Sequence, residues 1–271
     1  MKNTRIFGLA AVTMALGLTG IAQAQLEGWR LNEVVVRTND GTAADRSQFI
    51  ELYHPVAGQS VDGLSIVVIR PFFTDGAVST LRYEYGVELS GTADGNFFLI
   101  GNQNYADNFG DQDLAANPDD SWIMRPGGTT QGSYQEILLV PTADIDPGWP
   151  EPGTSVGAGG KTFDGSEFDN GNNIIDSVYL VGNAAIDNDD ESTVFTSMDP
   201  ADPQKYIANP DFATAGPIGG QRLPDGTGDW VAYSSDEHID PDGPETQQLP
   251  SASTPGASNS ATSVNEWRMY Y

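Results

Sequence analysis

Apolar residues recur along this chain in short runs, separated by clusters of Gly, Pro, Asn and Asp. The runs are LNEVVVR (31–37), QFIELYH (48–54), LSIVVIR (64–70), LRYEYGVEL (81–89), NFFLI (96–100), EILLV (136–140), IIDSVYLV (174–181) and WVAY (230–233). Rich in Val, Ile, Tyr and Phe and bounded by turn formers, they predict eight β-strands. Very little of the chain has helical period. An antiparallel β-sandwich or barrel follows.

Alternation assigns faces within several runs. Val34 and Val36 share one side, counted from Asn32; Ile50 and Leu52 oppose Phe49, Glu51 and Tyr53; Val178 pairs with Leu180. LSIVVIR and NFFLI are apolar on both faces, which places them centrally with a loop or second layer over one side. Three connections, 101–135, 141–173 and 182–222, are too long for hairpins, and such loops commonly carry function or motion.

The run FIELYHP (49–55) sets a glutamate inside an otherwise apolar strand. Glu51 shares its face with Phe49 and Tyr53. There it is expected to accept hydrogen bonds from backbone N–H groups of a neighbouring loop and so fix the strand's exit. The alternatives are a solvated face, a metal ligand or a catalytic carboxylate.

The N-terminus is a separate object. Lys2 and Arg5 precede an apolar run, Ile6 to Ile21, that ends in Ala22-Gln23-Ala24, the pattern of a secretory signal peptide over 1–24. Elsewhere no run reaches the roughly 18 apolar residues of a membrane span. A mature, exported domain of 25–259 with a short tail, 260–271, is therefore expected, without stable membrane insertion. There is no cysteine, so apolar packing and turn chemistry, with or without bound ions, must do what disulfides do in many exported domains. The chain has 12 Lys plus Arg against 38 Asp plus Glu, a net charge of −26. Loss of Lys2 and Arg5 with the signal makes it more negative still, a surface that repels nucleic acid and anionic lipid, so neither is expected as a partner.

Taken in order, LNEVVV (31–36), FIELYHP (49–55) and VDGLSIVV (61–68) resemble the opening of a lamin tail domain of the exported bacterial type. VELSGTADGNFFLIGN (87–102), DNGNNIIDSVYLVGNAAID (169–187) and QRLPDGTGDWVAYS (221–234) with STPGASN (253–259) resemble its later segments. The resemblance spans Leu31 to Asn259. It implies an immunoglobulin-like β-sandwich, a module without its own active site that binds, displays or joins. Two departures stand out: His54 occupies a position where the family commonly has Asn, and the segment between the phenylalanine-rich strand and 169–187 is much longer than usual. The chromatin-linked role of the nuclear lamins does not carry over to an exported chain of this charge.

Candidate chemistry is sparse. The loop PGTSVGAGGKT (152–162) contains Gly153-Thr154-Ser155-Val156-Gly157, but a nucleophile elbow needs a strand before the serine and a helix after it. Gly160-Lys161-Thr162 lacks the glycine five positions earlier that a phosphate-binding loop requires; Ser155 stands there. The only histidines, His54 and His238, fit no triad or zinc spacing. Calcium is the most credible ion, since oxygen donors concentrate at 164–173, 187–191 and 236–242. Asp187, Asp189 and Glu191 are the first candidates, because alternate positions of an extended turn can converge; solvated acidic turns are the competing reading. Trp122, Trp149, Trp230, Trp267, Tyr105 and Tyr134 mostly fall in or beside loops and could stack on sugars or anchor protein contacts; the competing reading, from the family resemblance, puts Trp230 in the core, and Trp122 and Trp149 could equally close small apolar clusters under their own loops.

The sequence thus leads to an all-β, immunoglobulin-like antiparallel sandwich with long loop insertions. The expected role is a non-catalytic binding or structural module of the cell envelope or extracellular space, whose partner is a protein or glycan. A secreted carboxylate-based hydrolase, with or without calcium, and a carbohydrate-binding protein are the alternatives.

Overall fold

A computed structural model describes residues 26, 28–35, 47–74, 77–109, 112–115, 134–144, 174–181, 206–208, 219–233 and 253–259. The described strands form two sheets. The first has six strands in the order β11-β10-β1-β2-β5-β6; the second has five, β4-β3-β7-β8-β9. In chain order these are β1 (Arg30–Val35), β2 (Phe49–Tyr53), β3 (Leu64–Thr74), β4 (Ala77–Glu88), β5 (Phe97–Gly101), β6 (Leu114–Ala115), β7 (Tyr134–Pro141), β8 (Asp176–Val181), β9 (Tyr206–Ala208), β10 (Gly219–Leu223) and β11 (Asp229–Ala232). The all-β, two-sheet expectation holds.

Each of the eight apolar runs becomes a strand, shifted by a few residues at its ends. Three further strands lie where period gave no sign: β6 inside 101–135, β9 inside 182–222, and β10, the Gly-Gly-Gln-Arg-Leu segment. β6 and β9 pair parallel to β5 and β8, so each sheet is antiparallel except at one short edge. The 101–135 connection also holds a helix, α1 (Gln103–Phe109).

The core lies between the sheets. Val34, Ile50 and Ile100 form one cross-strand row of the first sheet, and Val68, Ile137 and Val178 one of the second. All six are fully buried in a cluster with Trp29, Leu31, Leu52, Ile66 and Leu180. Burying each such side chain contributes about 1.5–3 kcal/mol, so this seam dominates the stability of the fold. As the two-faced apolar pattern requires, β3 lies between β4 and β7, and β5 between β2 and β6.

An ion pair joins the sheets inside this seam. Arg222 of β10 donates to both carboxylate oxygens of Asp176 of β8, at 2.9 and 3.1 Å. The backbone N–H of Leu31 in β1 donates to the same carboxylate at 2.9 Å. Burial raises the Asp176 pKa, opposed by the Arg222 charge and by the Leu31 hydrogen bond. Arg222 also lies 5.0 Å above the Trp230 ring, a placement that keeps the guanidinium desolvated and aimed.

The far face of the first sheet is covered as well. Phe49, Val35 and Leu99 pack there against Tyr105 of α1 and against Tyr233. Beside this apolar patch runs a row of different chemistry.

Candidate functional site

β1 and β2 pair in antiparallel register with a bulge between Leu31 and Glu33. Asn32 is the extra residue. A bulge turns its side chain out of strict alternation, and Asn32 Nδ2 reaches Glu51 rather than the core side of Val34. Beyond the bulge, Glu33 stands directly opposite Glu51, and the row continues to Gln221 on β10 and Leu99 on β5. Glu33, Glu51 and Gln221 are each fully buried.

The segment 253–259 covers this row, and together with Asn32 and Asp225 forms a polar clasp over it. Glu51 Oε2 accepts from the Gly256 N–H at 2.6 Å, and Oε1 accepts from Asn32 Nδ2 at 2.9 Å. The Thr254 N–H divides between the two oxygens of Glu33, at 3.3 and 3.2 Å, and the Tyr233 hydroxyl donates to Oε1 at 2.7 Å. Asp225, in the turn between β10 and β11, accepts from Asn32 Nδ2 at 3.2 Å and from the Asn259 N–H at 3.0 Å. Asn259 in turn donates to the Arg222 carbonyl at 2.9 Å and accepts from Thr254 Oγ1 at 2.7 Å.

Asn32 also holds the turn. Its Oδ1 accepts from the Gly226 N–H at 2.8 Å. Gly226 has φ +66°, and a Cβ there would press on the Tyr53 ring, so this position needs glycine on two counts.

The electrostatics follow from burial. The Glu33 pKa is pushed up to about 8, chiefly by desolvation, against the lowering effect of hydrogen bonds from Tyr233 and Thr254. Glu51 is raised well above the usual carboxylate range, first by burial and then by the Glu33 charge. Two buried carboxylates facing each other across a strand pair resist double ionisation.

Comparison with known proteins gives no identification. No protein family model, curated protein or solved structure matches the chain.

The expected role of Glu51 matches its geometry: it accepts a loop N–H, and the loop is 253–259. Asp187, Asp189 and Glu191, the calcium candidates, lie outside the described residues, as do His238, the 152–162 loop, Trp122, Trp149 and Trp267. Among the described residues no group of three or more His, Cys, Asp and Glu is arranged to hold a metal ion. His54 is buried just beyond β2, with its ring 5.1 Å from Trp29 and Nδ1 accepting from the Val56 N–H at 3.0 Å. Gly28 leaves room for that ring, since a Cβ would collide with it. Three of the aromatics grouped with the loops lie in regular elements. Tyr105 is a buried member of α1 packed edge-on against Phe49 at 5.3 Å, because the apolar patch beside the acid row needs a cover. Tyr134 begins β7. Trp230 packs into the core.

Sequence reading singled out Glu51 and missed Glu33, Asn32, Asp225, Asn259 and Tyr233. A signal was present for some of them: Asp225 and 254–259 belong to the two closing segments on which the family resemblance rests.

Proposed function

We propose that this chain is an exported, non-catalytic binding or structural module of the lamin-tail type, acting at the cell envelope or in the extracellular space. One observation carries the reading. The carboxylates best placed for chemistry, Glu33 and Glu51, are covered by main chain, and each of their oxygens accepts from donors of this chain, including the N–H groups of Thr254 and Gly256. That is the duty of a strut. The ordered motifs from Leu31 to Asn259 support the family, and the basic-apolar-small pattern over 1–24 supports export. Its partner is a protein or glycan, because the acidic surface disfavours nucleic acid and anionic lipid.

A second reading, a secreted carboxylate-based hydrolase, draws on the upward shift of Glu33 and on its like-charged neighbour, a combination also found in catalytic acid pairs. The two separate experimentally. Full-length chain expressed in a bacterial host is recovered from the exported fraction, its N-terminus is sequenced, and it is tested for saturable co-sedimentation with purified envelope material and for hydrolysis of chromogenic glycosides and esters. Cleavage after Ala24, saturable binding and no turnover are expected. Turnover that Glu33→Gln or Glu51→Gln abolishes in a folded protein would overturn the module in favour of the hydrolase.

A further inference from the structure

Glu33 and Glu51 face each other across β1 and β2, both fully buried. Cross-strand neighbours stand about 5 Å apart at Cβ, and at that separation two desolvated negative charges repel strongly. The groups facing them from each packed element deepen the problem. From the β10–β11 turn comes Asp225, a third carboxylate that raises both. From beyond β11 comes the neutral hydroxyl of Tyr233. The covering segment, Ser253 to Asn259, brings Thr254, Pro255, Gly256, Ala257, Ser258 and Asn259, none of them ionisable. Arg222 turns its guanidinium to Asp176 and Trp230, and its carbonyl accepts from Asn259; the charge of Arg30 likewise acts on Asp176. The groups that shift Glu33 and Glu51 are each other, Asp225, Asn32, Tyr233, Thr254 and Gly256, with no basic side chain among them.

We propose that residues 253–259 are a pH-released latch on the outer face of the six-stranded sheet, closed while one proton is shared over the Glu33–Glu51 pair and opened when that proton leaves.

The proton has a place that does not disturb the latch. A hydroxyl can donate or accept, so the Tyr233 hydroxyl that donates to ionised Glu33 can turn and accept from the protonated acid. Glu51 then keeps both of its N–H donors, Asn32 Nδ2 and Gly256 N, as an anion. The sign follows from burial. Closure covers the pair and raises Glu33 from 4.5 to about 8, whereas opening returns both acids to water and to the ordinary range. The closed state therefore binds the proton more tightly. Its advantage is full below about pH 4.5 and is lost as pH rises through about 8. In that window opening releases one proton, and the open-to-closed ratio grows about tenfold per pH unit.

The chain has no cysteine, so Ala257→Cys in the full chain carries a single spin label at an exposed point of the segment. The label is expected to be immobile at pH 5, with its mobile fraction rising toward pH 8 and levelling above it, while the far-ultraviolet circular dichroism of the sheets stays unchanged. Glu33→Gln removes the step. Tyr233→Phe, which removes the hydroxyl partner of Glu33 in either protonation state, weakens the closed state, moves the opening to lower pH and tests the same coupling should Glu33→Gln fail to fold. Constant mobility from pH 5 to pH 9, a transition that coincides with loss of the strand signal, a step that survives Glu33→Gln, or an unshifted step in Tyr233→Phe would each overturn the latch.

Discussion

Asn32→Ala tests how much the bulge contributes to closing the fold. Asn32 is fully buried, and its amide makes three contacts with no solvent to replace them. Each hydrogen of Nδ2 serves a different carboxylate, Glu51 at 2.9 Å and Asp225 at 3.2 Å, and Oδ1 takes the Gly226 N–H at 2.8 Å. A hydrogen bond to a charged acceptor contributes about 1.5–3 kcal/mol, and an orphaned buried N–H costs about 1–3 kcal/mol. Because 3.2 Å is long and the turn can relax, the total should fall near the low end, about 3–5 kcal/mol. Against a typical domain stability of about 5–15 kcal/mol this is a large share. In urea, with a slope of about 1–3 kcal/mol per molar, the midpoint should fall by roughly 1–5 M. Equilibrium denaturation of the full chain, followed by tryptophan fluorescence because Trp230 is buried in the core between the sheets, reads this directly. Asn32→Asp is the companion. It keeps the shape but adds a carboxylate among Glu33, Glu51 and Asp225, so its defect should be larger at pH 7 than at pH 5. A loss below about 1 kcal/mol for Asn32→Ala, or an Asn32→Asp defect independent of pH, would refute the clasp as an energetic element.

Two further outcomes follow from the same geometry. Arg222→Met leaves Asp176 in the seam without its guanidinium and should cost about 3–5 kcal/mol in urea denaturation, whereas Arg222→Met with Asp176→Asn should recover a substantial part, since removing both charges is cheaper than stranding one. Chelation with EDTA should leave the thermal midpoint unchanged at several ionic strengths, because Glu33, Glu51, Asp176 and Asp225 are all met by N–H, O–H or guanidinium donors of the chain; a fall of several degrees, reversed by calcium, would assign a structural ion to an acidic cluster such as 187–191.

The limits of sequence reading here have a physical form. Periodicity reports which way a side chain points only while the strand stays regular, so Ile50 and Leu52 could be placed in the core from FIELYHP alone. In LNEVVVR the same rule puts Asn32 on the side of Val34, and the bulge overturns it. β10 is illegible for another reason: Gly219 and Gly220 have no side chain to pattern, and a Cβ at Gly219 would strike the Val34 carbonyl of β1. Its fitness for a strand lies in its partner. β6 and β9, of two and three residues, are too short for any period to emerge. The clasp compounds all of this. Glu51 is conspicuous as one carboxylate among apolar residues, but its ligand Gly256 is 205 positions away, and Thr254 is 221 positions from Glu33. A buried acid announces in sequence that some donor must meet it, and only the topology that brings 253–259 over β1 and β2 says which. A donor set of two main-chain N–H groups, one side-chain amide and one hydroxyl, all neutral, turns that requirement into dependence on a proton: the same burial that makes Glu33 and Glu51 effective struts makes their charge the variable by which the strut can be withdrawn.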